Sequence, residues 1–491
     1  MDSDESDDED TTIPLEEHID EPDDENTTIP LEEHIDEPDD EDTTIPLEEQ
    51  IHDFNMNAVQ NHVNEMEYAI NEHGYNVNNI NDHGQTALRI ATWRSSPSTI
   101  EFLLNKVRDP NVLDNNGESA LMVAADRGDV EIFFMINRKL EEARLPIRLL
   151  SNIHVNGAGK TLLMRACNNM YRTNKKSYDL VRMLLDAGFD PYVKDHQGRT
   201  ALHHAVQSKL LTTNATVLML LESRPENTLV HVKDKDGNTA LHLACIKTNC
   251  STVVVSTLLA HGARASDTNL KLETPLHTTA RLGVHEVVPL LVEARADTQA
   301  RDILGRTPTH AAVETRTLGV GVYRSSDSTC FLLESLMATW NPRYKLLHLS
   351  VKDNNGMTPL LLACQPANRS VVVRLINIPG INIDAVDIKG ETVLHRCVRC
   401  GWPRVIEALI TLGVKIHVRD DDGKTPLDIA YRLGIYSDNM LLCLNILLHQ
   451  HTLSEMRFNT ISMGLHERLG AKSQLRLLNI WEIEQMIARH L

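Results

Sequence analysis

Three groups of residues have types and spacings that could support catalysis or metal binding. The stretch NGAGKTLL at 156–163 has glycines, a lysine and a threonine in the style of a phosphate-binding loop. Cys397 and Cys400 form a Cys-x-x-Cys pair, a spacing that zinc sites and redox sites use. Five histidines could act as general acids or bases, namely His203, His242, His277, His310 and His395.

The phosphate-binding interpretation of 156–163 lacks its required context. Such a loop needs Gly-x-x-x-x-Gly-Lys-Ser/Thr directly after a buried strand. His154 stands where the first glycine belongs, and the preceding residues form no clean β-type run. Gly159, Thr161 and Leu163 instead fit a phrase that recurs through the chain. We therefore expect neither nucleotide binding nor any other cofactor.

The cysteine pair and the histidines also lack the partners that chemistry requires. No two further ligands at suitable spacing accompany Cys397 and Cys400. Cys167, Cys245 and Cys364 each follow the Ala of the recurring phrase, a position typical of small buried residues. The histidines also recur at one position, whereas a catalytic histidine is solitary and paired with a nucleophile or carboxylate. We expect them to make structural hydrogen bonds, and we expect no metal site and no enzymatic activity.

The recurring phrase is roughly Asp-x-x-Gly-x-Thr-x-Leu-x-x-Ala, and it appears ten times. Asp and Gly favour a tight turn, Thr suits a helix N-cap, and Leu and Ala follow at helical spacing. A second apolar helix follows each phrase, and one such unit is too small to bury its own apolar face. The Gly slot is occupied by Gly84, Gly117, Gly159, Gly198, Gly237, Leu272, Gly305, Gly356, Gly390 and Gly423.

This phrase resembles the ankyrin repeat, which has a period of about 33 residues and a Thr-Pro-Leu-His-x-Ala signature. DKDGNTALHLA at 234–244 and NLKLETPLHTTA at 269–280 illustrate the match, which covers roughly residues 56 to 450. The resemblance implies an all-α ankyrin solenoid of helix-turn-helix units with β-turn fingers. It also implies binding of other proteins through a concave face. Longer intervals predict insertions near 139–155 and 315–349, as long helices or surface loops.

The first fifty residues contain 24 Asp and Glu and no Lys or Arg, and a 16-residue unit, TTIPLEEHIDEPDDEN, repeats within them. We predict a disordered acidic tail over residues 1–53, because like charges repel and few apolar residues can be buried. Two interpretations stay open. The tail is a solubilising segment, or it is a multivalent linear motif anchored by Ile13, Leu15, Ile29, Leu31, Ile45 and Leu47.

Outside this tail the charge is nearly balanced, with 48 basic residues against 45 of the 69 acidic ones. A near-neutral body disfavours nucleic-acid binding, which needs clustered Lys and Arg. No stretch approaches the ~18 apolar residues of a membrane span, and the acidic start is unlike a secretory signal. The eight scattered cysteines suit a reducing compartment. We therefore expect a monomer in the cytoplasm, with the nucleus as the alternative location.

Residues 451–491 follow the last repeat and have apolar residues at helical spacing. One interpretation is a helical cap over the last repeat. The other is a recruitment segment, because Leu453 and Ile461 resemble part of a SOCS-type box, although Arg457 replaces its cysteine. The end of the chain is similar to a truncated F-box. This resemblance implies a substrate-recognition adaptor of a cullin-type ubiquitin ligase, with contacts from Leu478, Ile483 and Ile487.

The sequence thus predicts three segments: a tail at 1–53, an ankyrin array at 54–450 and a helical segment at 451–491. The favoured function is a protein–protein interaction scaffold, and the ligase adaptor is the alternative. We expect the fingers of the central repeats to make the partner contacts, because such loops are exposed and variable. The predicted protein-binding residues are Tyr192, Lys194, His196, Lys233, Lys235, Arg301, Ile303, Lys352 and Asn354.

Overall fold

The computed structural model describes residues 46–94, 96–146, 156–168, 177–208, 213–224, 228–246, 252–314, 326–340, 345–433 and 438–468. Side chains are described in these ranges except at 177, 326–328 and 455–468. The first 45 residues of the acidic segment that was predicted to be disordered lie outside the described residues. The described residues from Glu48 onward belong to one compact unit.

The described residues form a row of helix pairs, each with an inner and an outer helix. Inner helices pack on the inner helices of adjacent repeats, and outer helices pack on outer helices. The described parts of the chain contain no β-strand, only isolated bridges such as Ile80–Thr86. The predicted all-α ankyrin solenoid is therefore confirmed. The first pair is α1 (Leu47–Gln60) and α2 (Val63–Glu72), which precede the first finger.

Ten further pairs each follow one finger. In chain order they are α3 (Ala87–Arg94) and α4 (Pro97–Lys106); α5 (Ala120–Arg127) and α6 (Val130–Glu142); α7 (Leu162–Asn168) and α8 (Ser177–Asp186); α9 (Ala201–Gln207) and α10 (Thr213–Glu222); α11 (Ala240–Ile246) and α12 (Thr252–Ala260); α13 (Pro275–Leu282) and α14 (Val288–Glu293); α15 (Pro308–Val313) and α16 (Ser326–Thr339), with an extra helix α17 (Lys345–Ser350); α18 (Pro359–Ala363) and α19 (Arg369–Ile376); α20 (Val393–Arg399) and α21 (Pro403–Thr411); and α22 (Pro426–Leu433) and α23 (Asp438–Arg468).

The threonine of the recurring phrase caps the inner helix, and the histidine three residues later ties that helix to the next repeat. At α9, the Thr200 amide donates to His203 Nδ1 at 3.1 Å. The other ring nitrogen, Nε2, is therefore the protonated one, and it donates to the carbonyl of Asn238 in the next repeat at 3.2 Å. His242, His277, His310 and His395 make the same pair of bonds. The structural role predicted for these five histidines is confirmed.

Burial is concentrated in the Leu and Ala slots of the phrase. Leu202 and Ala205 of α9 are fully buried, and replacing such a leucine with alanine costs about 2–5 kcal/mol. Thr279 occupies an Ala slot in α13 and satisfies its hydroxyl with the carbonyl of Pro275 at 2.8 Å. Thr309 occupies a Leu slot in α15, and its buried hydroxyl has no hydrogen-bond partner among the described residues. Repeat seven therefore contains a local weakness.

Helix α1 begins at Leu47, so the predicted end of the acidic tail at residue 53 falls inside a helix. The third tail unit matches the first two through Glu49 and shares their isoleucine as Ile51, but it then adds Phe54, and both Ile51 and Phe54 are buried. The Phe54 ring stacks on Tyr75 with ring centroids 4.2 Å apart. Burial raises the pKa of the Tyr75 hydroxyl to about 12. This apolar contact is the physical reason that order begins earlier than the charge pattern predicts.

The far end of the array is covered by α23, which packs on α21 and α22. Cys443 and Leu447 are buried there, and the predicted boundary between residues 450 and 451 falls inside this one helix. The predicted insertions overlap the end of the long helix α6, the long helix α16 and the short extra helix α17, while 147–155, 315–325 and 341–344 lie outside the described residues.

The five interface histidines predict a specific acid sensitivity. Burial lowers the pKa of His203 to about 4 and also lowers that of the other four. An unfolded histidine has a pKa of about 6.5, so the unfolded state binds more protons below that pH. The contribution of these histidines to the free energy of unfolding is therefore fully present above pH ~6.5 and is lost as the pH drops toward 4. For His203 the loss is up to about 3 kcal/mol.

This loss is measured by urea unfolding of the full chain between pH 7.5 and 5, a range in which few carboxylates titrate. His203→Gln should be less stable at neutral pH and should show a shallower decrease with acid. A wild-type chain whose stability is constant from pH 7.5 to 5 would contradict the assignment.

Candidate functional site

Nine of the ten fingers are Asx turns built on the first residue of the recurring phrase. In repeat eight, Asp353 is buried, and its Oδ1 accepts hydrogen bonds from the amides of Asn355 at 2.9 Å and Met357 at 2.8 Å. Two amides that would otherwise lack partners are thus satisfied within the turn. The same two bonds are made by Asn81, Asp114, Asn156, Asp195, Asp234, Asn269, Asp302 and Asp387.

In three of these turns the carboxylate has a lowered pKa and is held in its charged form. Burial alone would raise the pKa of Asp195, but its hydrogen bonds with His204 and with the Arg199 amide lower it to about 2. The His204 ring lies 2.9 Å from Asp195 Oδ2. The pKa values of Asp302 and Asp387 are lowered against burial by hydrogen bonds from Arg306 and Arg396 respectively. The turns therefore keep their shape near neutral pH.

Adjacent fingers are joined by backbone hydrogen bonds, which we call the finger ladder. The amide after each Asx donates to the carbonyl two residues after the preceding Asx. In the central repeats, His196 donates to Ala158 at 3.1 Å, and Lys235 donates to Gln197 at 2.9 Å. The full set of nine donors is Asn115, Gly157, His196, Lys235, Leu270, Ile303, Asn354, Ile388 and Asp421. The ladder places neighbouring finger side chains directly beside each other.

Eight of the nine predicted binding residues occupy two positions of the finger, and all eight are exposed. Lys194, Lys233, Arg301 and Lys352 directly precede the Asx residue, and His196, Lys235, Ile303 and Asn354 directly follow it. The ninth, Tyr192, is half-buried, and its hydroxyl lies 2.9 Å from Thr228 Oγ1. The structure thus brings the predicted residues together in one row along the fingers.

The four cations before the Asx residue reach across to the next repeat. Lys194 Nζ donates to the carbonyl of Lys233 at 3.1 Å, and Lys233 Nζ donates to the carbonyl of Thr268 at 2.5 Å. Arg301 donates to the carbonyl of Lys352 at 2.9 Å, and Lys352 Nζ donates to that of Val386 at 2.6 Å. Among the described residues, none of the four has a carboxylate within ion-pair distance, so this row of positive charge is not neutralised within that part of the chain.

Sequence reasoning missed most of the exposed apolar residues on the fingers. Leu270 is 71% exposed, Leu272 49%, Ile303 59% and Leu304 42%, and only Ile303 was predicted. We call these four residues the apolar finger patch. The signal was present in the phrases NLKLET and DILGRT. They put leucine or isoleucine where most other copies have a polar residue or, at Leu272, where all nine others have glycine.

Leu272 adopts a backbone conformation that favours glycine. Its φ is +56°, and the glycines in the same slot of the other nine fingers have φ between +69° and +79°. A leucine in this left-handed region costs about 1–2 kcal/mol. The slot is also tight elsewhere, because a Cβ on Gly198 would lie 2.9 Å from the amide nitrogen of Lys235. Leu272 is therefore a strained residue with a largely exposed side chain.

The residues considered for nucleotide binding, metal binding or redox chemistry lie in the fingers and in the core of the repeats. Gly159 is a finger glycine, and the Gly157 amide donates to Asn116 within the finger ladder. The sulfurs of Cys364 and Cys397 are 4.0 Å apart in the core. Burial raises the pKa of the Cys400 thiol to about 11, so the thiol stays protonated at neutral pH. Across the described ranges, no three His, Cys, Asp or Glu residues are placed to hold a metal ion.

The predicted recruitment residues are only partly described. Leu453 is half-buried on α23, and Ile461 lies farther along the same helix. Leu478, Ile483 and Ile487 lie outside the described residues. Of the helices that the structure describes, none combines the length and apolar character needed to cross a bilayer.

Comparisons with known proteins agree with this geometry. A family model described as ankyrin repeats (three copies) matches residues 96–195, 163–271 and 360–455, and another described as ankyrin repeats (many copies) matches 56–104. These ranges cover more than half of the chain. Residues 272–359 lie outside them, yet α13 and α15 show the same Thr–His pattern.

Three similar proteins have repeats that align with part of this chain. The mouse B-cell lymphoma 3 protein homolog is 30% identical over 41% of this chain and 42% of its own length. Mouse Rabankyrin-5 is 29% identical over 35% of this chain and 13% of its own length. Human neurogenic locus notch homolog protein 1 is 29% identical over 41% of this chain and 8% of its own length. The alignments span less than half of each relative.

The finger geometry predicts that exposed and buried finger residues differ sharply in their effect on stability. Lys352→Ala should change the free energy of unfolding by less than about 0.5 kcal/mol, because the side chain is exposed. Asp353→Ala should cost about 2–4 kcal/mol, since two amides lose their acceptor. Urea unfolding of both variants measures the difference. Equal effects would show that the turn does not depend on the Asx side chain.

Proposed function

This chain belongs to the ankyrin-repeat family, and we propose that it binds other proteins through the face formed by its fingers and inner helices. The observation that supports this most directly is the finger ladder, which holds exposed cationic and apolar side chains in one ordered row. When a partner docks there, the finger side chains lose little conformational freedom, because the row is already ordered. We propose no catalytic role.

The inner helices add exposed apolar residues to the same face. Trp93 is 39% exposed on α3 and Ile246 is 38% exposed on α11. Aromatic and aliphatic side chains among polar neighbours are typical of interface anchors. We further propose that the chain acts as a monomer in the cytoplasm, with the nucleus as the alternative.

Site-specific crosslinking tests this proposal without requiring a known partner. A photo-crosslinking amino acid is placed at His196 on a finger, and the matched control carries it at Glu407, an exposed residue of the outer helix α21. After irradiation in cell lysate, the His196 position should form discrete adducts with other proteins, and Lys235→Glu should reduce them. Equal adducts from both positions would contradict binding through the fingers.

The alternative proposal, a cullin-type ligase adaptor, is favoured by one feature of the C-terminal end. The N-terminal part of α23 buries Cys443 and Leu447 against the last repeat. The cap that a solenoid needs is thus supplied before residue 450, so the segment 451–491 is not required for capping, and we propose that it serves recruitment.

A chain ending at Arg468 tests the adaptor directly, because it keeps the whole of α23. We expect the full chain to co-purify with a cullin, an elongin or the F-box adaptor subunit, and the shortened chain to lose it while keeping its melting temperature. Absence of every ligase subunit from the full-chain sample would reject the adaptor. A large decrease in melting temperature on truncation would instead assign a capping role to the segment.

A further inference from the structure

We propose that the apolar finger patch, Leu270, Leu272, Ile303 and Leu304, is the docking site for an acidic, extended peptide segment of a partner protein that presents apolar side chains. This inference rests on the proposed function and narrows it to two fingers and one chemical class of partner.

The patch is one continuous surface because the finger ladder joins the two fingers that form it. The Leu270 amide donates to Asp236 at 2.9 Å, and the Ile303 amide donates to Lys271 at 2.9 Å. On the other side, the Asn354 amide donates to Leu304 at 3.0 Å. Backbones paired in this way bring the attached side chains within contact distance of each other. Ile303 is thus paired with Lys271, the residue between Leu270 and Leu272, so the four apolar residues lie on two adjacent fingers, and no described element buries them.

Leu272 supplies an independent observation that this surface is used. A glycine at position 272 would remove the backbone strain, as it does in the other nine fingers. Burial within the described chain offsets only part of this cost, because Leu272 remains 49% exposed. Strain that the fold does not require is typical of positions selected for binding. A leucine here adds apolar surface where a partner can bury it.

The charges around the patch define the partner. Five exposed cations lie in these fingers and their ladder neighbours, against one exposed acid at Asp236; they are Lys233, Lys235, Lys271, Arg301 and Lys352. Apolar side chains of a partner would be buried against the leucines, and carboxylates beside them would meet this basic rim. An extended segment fits best, since its alternate side chains point to the same side as it crosses adjacent fingers.

The first test selects ligands from a random peptide library displayed on phage, using the full chain at low salt. We expect the selected peptides to be enriched in Asp, Glu, Leu and Ile, and to bind the Leu270→Ser/Ile303→Ser double variant at least roughly tenfold more weakly. Leu412→Ser, at a leucine of the outer layer that is 49% exposed, is the control and should bind as the wild type does. Raising the salt concentration should weaken binding.

The second test uses Leu272→Gly, for which structural and binding roles predict opposite results. Relief of backbone strain should raise the stability to urea, while loss of the side chain should weaken peptide binding several-fold. A variant that is less stable and binds equally well would overturn the proposal, because Leu272 would then be a structural residue.

The remaining outcomes separate the two levels of the proposal. Peptides that bind tightly but are insensitive to the double variant would overturn the patch and leave finger-face binding intact. If none of the selected peptides binds more weakly to chains with substitutions on the fingers, the proposed function itself would be contradicted. Self-association of the wild-type chain in sedimentation, lost in the double variant, would assign the patch to a second copy of this chain and overturn the peptide proposal.

Discussion

The hydrogen bond between one finger and the next is the constraint on which the rest of the molecule depends. A single repeat buries too little apolar surface to fold alone, so neighbours must stack at a fixed separation. The ladder sets that separation at the fingers, and the Thr–His pair sets it at the start of the inner helices. The Leu and Ala slots can then be filled without gaps, because the ladder repeats at all nine junctions and the histidine bond reinforces five of them in the same register. The exposed row on the fingers is ordered as a consequence of this stacking.

Much of the fold could be predicted because each structural role recurs. Ten copies of one phrase identified the finger turn, the capping threonine and the histidine bond, and each is found where it was expected. The start of α1 was not predicted, because its order comes from the Phe54–Tyr75 contact, which no local pattern shows. The lysine contacts between repeats were also missed. They depend on the path of a long side chain across a repeat junction, which the spacing of residues alone does not fix.

Many of the distinctive features of this chain lie where its sequence departs from the recurring phrase. Residues 272–359, which the family models do not match, include Leu272, Thr309 and the long insertion around α16 and α17. A repeat can depart from consensus in this way only where its neighbours hold it in register. The bordering repeats keep both the ladder and the histidine bond. Stability is thus supplied by the regular repeats, and the irregular ones present unusual side chains.

The uneven distribution of the interface histidines has a mechanical consequence. They join repeats four through eight and nine to ten, whereas Arg89, Met122 and Met164 occupy the same slot in the first three repeats. In a row of stacked units, the flexibility of the whole is the sum of the flexibilities of its junctions, and each junction can loosen on its own. Mild acid would therefore leave the first three repeats rigid while the central junctions yield. The array would then have a rigid part, formed by the first three repeats, and a more flexible central part. Its most flexible junctions would lie among the fingers that carry the exposed cations.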